Sequence, residues 1–62
     1  MNADIKGALQ QINKSWRAFE HNGNKMTKAQ VEAVLKFGIE KGYSHTGQIP
    51  DSDIDRIIKE IS

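Results

Sequence analysis

Met26-Thr-Lys-Ala-Gln-Val-Glu-Ala-Val-Leu-Lys-Phe-Gly-Ile-Glu-Lys-Gly-Tyr43 holds a helix start, a helix stop and an apolar face too wide for one neighbour. Thr27 is an N-cap with Gln30 three residues on, the pattern of a capping box, and Met26 sits just before the cap where it can close on Val31. Glu32, Lys36 and Glu40 follow at spacings of four, so opposite charges adjoin on the wet side. Gly42 offers the left-handed conformation that ends a helix, with Tyr43 placed to fold back near Phe37. The stretch predicts a helix over residues 28–41. Val31, Val34, Leu35, Gly38 and Ile39 share one arc of it, with Ala33 and Phe37 widening that arc, which is room for two partners. Gly38 lies where a neighbouring helix can approach closely.

Two amphipathic segments flank this centre. Upstream, Ile5, Ala8, Leu9, Ile12, Trp16 and Phe19 recur at three and four, predicting a helix over 3–19 with Asn2 or Asp4 as cap and Gly7 as a weak point. Downstream, Ile54, Ile57, Ile58 and Ile61 form an i, i+3, i+4, i+7 stripe, predicting a helix over 51–61 capped by Asp51 or Ser52. Asp55 with Lys59 and Arg56 with Glu60 are expected to pair on its far side. Asn22-Gly23 marks a tight reversal between the first two helices, and the polar run from Ser44 to Pro50 is a loop with Ile49 tucked inward. The fold class expected is therefore all-α: a small three-helix bundle forming a single helical domain over 1–62.

The 62-residue length limits the core, because a domain of this size buries only about 60% of the surface its unfolded chain exposes. With no cysteine there is neither a disulfide framework nor a thiolate metal site. No signal-peptide pattern opens the chain, and no run approaches the roughly 18 apolar residues a membrane helix needs, so a complete, soluble, cytoplasmic protein is expected. The net charge of +1 is far from that of a dedicated nucleic-acid binder. It is uneven, however. Lys6, Lys14, Arg17, Lys25 and Lys28 against Asp4 and Glu20 make residues 1–28 +3, and the remainder is −2.

The loops resemble those of the EF-hand family. Phe19-Glu-His-Asn-Gly-Asn-Lys-Met-Thr27 is similar to a worn loop of that kind, and Gly47-Gln48-Ile49 with Asp53 to the second half of another. The resemblance implies that Met26 and Ile49 pair as short extended segments. It does not extend to the ligands: calcium needs converging carboxylates and a closing bidentate Glu, and here Gln30 stands at that place while Gly42, Ser44 and Thr46 fill the second set. No metal or cofactor is expected, and His21 and His45, one per loop, read as solvent-facing. Ser15, Ser44 and Ser52 lie in no nucleophile motif and no phosphate-binding glycine loop is present, so the chain is not expected to be an enzyme.

What remains is binding. The first expectation is a protein-interaction module, a regulator, inhibitor or subunit, contacting a partner protein or forming a homodimer through an apolar patch. Phe37, Tyr43 and Trp16 are its candidate anchors, as large aromatics are favoured at interfaces, although Trp16 lies squarely on a core stripe. The alternative is a helix-turn-helix nucleic-acid binder contacting a polyanion through Lys6, Lys14 and Arg17. Against it, Asp51, Asp53 and Asp55 open the helix that would read bases, and the three cations also read as the wet face of an ordinary helix.

Overall fold

A computed structural model describes residues 3–62. The chain is mostly helical, but it is not a clean three-helix bundle. In order it forms α1 (Ile5–Gln10), α2 (Ile12–Ser15), a 3₁₀ turn (Trp16–Ala18), a hairpin of β1 (Glu20–His21) and β2 (Asn24–Lys25), α3 (Lys28–Glu40), a second 3₁₀ turn (Thr46–Gln48) and α4 (Asp51–Ile61). The expected all-α class is corrected by the hairpin. The expected first helix is corrected to two short helices and a turn.

α3 is the element whose ends are written most locally. Thr27 accepts from the Gln30 backbone N–H while the Gln30 side chain accepts from the Thr27 N–H at 2.9 Å, a complete capping box. At the other end Gly42 takes φ +83° and its N–H donates to Ile39 O, while the Tyr43 N–H donates to Gly38 O at 2.9 Å. This double closure is a Schellman motif, which satisfies carbonyls the helix would otherwise leave open.

The chain before α3 departs from one continuous helix for two reasons. Asp4 caps α1 by accepting from the Gly7 N–H at 2.8 Å. The alternative cap, Asn2, lies outside the described residues. Gly7 is where that carboxylate rests, since a Cβ there would fall 2.8 Å from Asp4 Oδ2. Just before α1, Ala3 and Asp4 run against Ser44 to Thr46, with Asp4 bridging His45 and with Ile5 N–H to Ser44 O and Thr46 N–H to Ala3 O both 2.9 Å. Further on, Gln11 leaves helical geometry at φ −108°, ψ 27°, and the Ser15 hydroxyl donates to the Ala8 carbonyl, 2.8 Å away and seven residues back. A side chain inserted into the helical ladder is a recognised cause of a kink.

The pairing expected between Met26 and Ile49 is also corrected. The Met26 N–H donates to Phe19 O, extending the hairpin, and the Ile49 N–H donates to Thr46 O, closing the 3₁₀ turn. Both amides are committed elsewhere, and the bridge forms instead at Asp4 and His45. That loop is held by Gln48 Oε1, which accepts from the N–H groups of Ser44 and His45 at 2.7 and 3.0 Å.

α4 begins directly after Pro50, which occupies the cap position with no side-chain cap, so Asp51 is already inside the helix. Asp51 and Asp53 in its first turn suit the helix dipole. Its stripe is only partly used: Ile57 is buried, Ile54 and Ile58 are half-buried, and Ile61 is exposed.

The core is Ile5, Phe19, Met26, Val31, Val34, Leu35, Ile49 and Ile57, with α3 packed between α1 and α4. Gly38 is the closest crossing: a Cβ built there would lie 2.6 Å from Ile5 Cδ1 and 3.2 Å from Ile49 Cδ1. Gln30 is buried beside this core and its amide donates to Ile58 O at 3.4 Å, joining the start of α3 to the end of α4. No helix among the described residues is long and apolar enough to cross a membrane.

Candidate interaction surface

The broad face of α3 is covered unequally. Val31, Val34, Leu35 and Gly38 are buried, whereas Ile39 keeps 39% of its surface in solvent. The reason lies in where α1 begins. Its first residue, Ile5, is the one that meets Gly38, so the next residue of α3 projects beyond the start of its covering helix. Ile39 therefore borders a surface hollow of about 330 Å³ together with Tyr43, Gly42, Ser44, Asp4 and Lys6. Tyr43 is half-buried there, oriented by the Schellman closure, and Asp4 and Lys6 bring one charge of each sign to the rim.

The candidate anchors are not gathered in one place. Phe37 is half-buried on the α4 side, its ring under the Arg56 guanidinium at 5.6 Å and the Lys41 ammonium at 5.7 Å. Two residues along a helix turn it by about 200°, so Phe37 and Ile39 point nearly oppositely. Trp16 is half-buried with the Arg17 guanidinium 5.4 Å from its ring. Lys6, Lys14 and Arg17 are all exposed, but the break at Gln11 puts Lys6 on one short helix and the other two beyond it.

A second concavity, of about 260 Å³, opens between the hairpin, the Thr46–Gln48 turn and the start of α4. Phe19, Met26, Val34 and Ile49 floor it, and Glu20, His21 and Asp51 stand at its polar edge. Its wall is set by a contact that sequence reasoning missed. His21, whose side chain is only 11% exposed, places Nε2 2.7 Å from Asp55 Oδ1, and Asn22 Nδ2 lies 3.5 Å from the same oxygen. The hairpin is thereby clasped to α4. His21 is not solvent-facing as expected, and the carboxylate expected to pair with Lys59 is spent on it. Arg56 does pair with Glu60, at 3.3 Å, and also with Asp53 at 3.6 Å.

The hydroxyls of Ser15 and Ser44 are engaged with Ala8 O and Gln48 Oε1. Among the described residues no group of three His, Cys, Asp or Glu side chains could hold a metal ion. The stretch similar to a calcium loop is a hairpin with a two-residue reversal, in which His21 faces Asn24 and Glu20 faces Lys25.

Removing the clasp has a defined consequence. Asp55→Ala leaves the His21 ring without its acceptor, and because Asp55 is 48% exposed the cost is expected near the low end of the range for such losses, about 1 kcal/mol. Hydrogen exchange should quicken at the hairpin amides while the middle of α3 keeps its protection. Equal quickening in both would show that the clasp is not local.

No protein-family model, curated protein or solved structure matches this chain.

Proposed function

We propose that this chain is a small, non-catalytic protein-interaction module, a regulator, inhibitor or subunit, that binds a partner protein or a second copy of itself through the surface at the end of α3. Ile39 and Tyr43 are its centre. The observation carrying this reading is Ile39, a large aliphatic side chain left 39% exposed beside a hollow that a half-buried tyrosine also lines. Interfaces favour this composition, an apolar and aromatic middle with a polar rim, and here Asp4 and Lys6 supply the rim. Phe37 and Trp16 each lie beside a cation, which makes them secondary anchors in this reading.

Sedimentation across a concentration range, together with recovery of partners on the immobilised chain, tests the proposal. Ile39→Asp is expected to weaken whichever association is found by roughly 30-fold, the factor given by loss of an interface anchor worth about 2 kcal/mol. The substituted site is exposed, so the fold should survive. Association that withstands Ile39→Asp overturns the reading. Salt-sensitive retention on a polyanion column, lost on neutralising Lys6, Lys14 and Arg17, would instead support the nucleic-acid alternative.

A further inference from the structure

We propose that Asn22 is a site of spontaneous deamidation, and that its product opens the clasp between the hairpin and α4. Asn22 and Gly23 fill the two central positions of the hairpin turn with φ of +52° and +80°, and both are exposed. A glycine after asparagine puts no side chain in the way of its own nitrogen, and nothing lies within 4 Å of the place where a Cβ would stand on Gly23. Among the described residues the Gly23 N–H donates no hydrogen bond, so its nitrogen is uncommitted. The Asn22 amide is held only by the 3.5 Å contact to Asp55, at the outer limit of a hydrogen bond.

The chemistry needs only water. The Gly23 nitrogen attacks Asn22 Cγ, the new C–N bond closes a five-membered succinimide, and the Cγ–Nδ2 bond breaks as ammonia leaves with the proton from Gly23. Water then opens the ring. Attack at Cγ leaves an aspartate, and attack at the former main-chain carbonyl leaves an isoaspartate whose chain runs through Cγ. Either product removes the donor facing Asp55 and sets a second carboxylate beside the first, and like charges at that range repel. The isoaspartate also lengthens the backbone by a methylene inside a turn fitted to pair Glu20 with Lys25.

The other described asparagines are less favoured: Asn13 lies in α2, where the following N–H, that of Lys14, donates to Gln11 O at 2.9 Å, and Asn24 precedes Lys25, which carries a side chain beside the attacking nitrogen where Gly23 has none. The test incubates the full chain in mildly alkaline, ammonia-free buffer, mapping peptides by mass spectrometry over time, with Asn22→Gln as the control that cyclises slowly. Acid formation is expected first at Asn22, with hairpin amides in the converted fraction exchanging roughly threefold faster, the factor at the low end of hydrogen-bond losses that a 3.5 Å contact warrants. Directly made Asn22→Asp should reproduce that change, whereas Asn22→Gln should keep its hairpin protection during incubation. Conversion of Asn13 or Asn24 as fast as Asn22 overturns the site, and unchanged exchange in the converted fraction or in Asn22→Asp overturns the opening of the clasp.

Discussion

Replacing Leu35 with alanine is expected to lower unfolding free energy by about 2–5 kcal/mol, the range for emptying a fully buried aliphatic site. Leu35 is 0% exposed at the middle of α3, on the helix that packs against both α1 and α4. A 62-residue domain has of the order of 3–9 kcal/mol to lose, at about 0.05–0.15 kcal/mol per residue, so this one truncation removes much or all of it. Chemical denaturation should show the midpoint collapsing, with a folded baseline that is short or absent at room temperature. A loss below about 1 kcal/mol would mean that Leu35 is not central to the core.

The second large effect is expected at Gly38, from the opposite cause. Even the first carbon of a side chain there falls 2.6 Å from Ile5 Cδ1 and 3.2 Å from Ile49 Cδ1. Gly38→Val must therefore push α1 and the Ile49 loop away, at about 1–3 kcal/mol for overpacking, and the β-branched side chain recovers only part of the glycine's poor helix propensity. The atom in the way is the terminal methyl of Ile5. Ile5→Val removes that methyl and costs about 0.5–1.5 kcal/mol alone, so the double variant should be less destabilised than the sum of the two single changes. Strict additivity would show that Ile5 and Gly38 do not meet.

These two residues also mark what was legible in the amino-acid sequence. α3 could be read nearly to the residue because its ends are encoded within a few positions: Thr27 with Gln30, and Gly42 with Tyr43. The close approach at Gly38 was likewise readable from a glycine inside an apolar arc. The break at Gln11 was not, since the 3.6-residue periodicity continues across it and the Ser15 hydroxyl that bonds Ala8 O is a polar residue among several on that segment. Nor was the bridge of Asp4 with His45, a contact between parts of the chain about forty residues apart that no local signal announces. The exposure of Ile39 follows from that same pairing, because delaying α1 to Ile5 uncovers the end of α3. His21 was misread for a related reason: its partner, Asp55, lies 34 positions away on α4.

The most direct test of the interaction surface compares Ile39→Asp with Ile61→Asp in the same association assay. The two residues are almost equally exposed, at 39% and 42%, but only Ile39 borders the hollow lined by Tyr43, whereas Ile61 ends α4. Loss of self-association or partner recovery with Ile39→Asp, and its retention with Ile61→Asp, is the predicted result. Retention with Ile39→Asp and loss with Ile61→Asp would contradict the assignment and move the binding surface to α4.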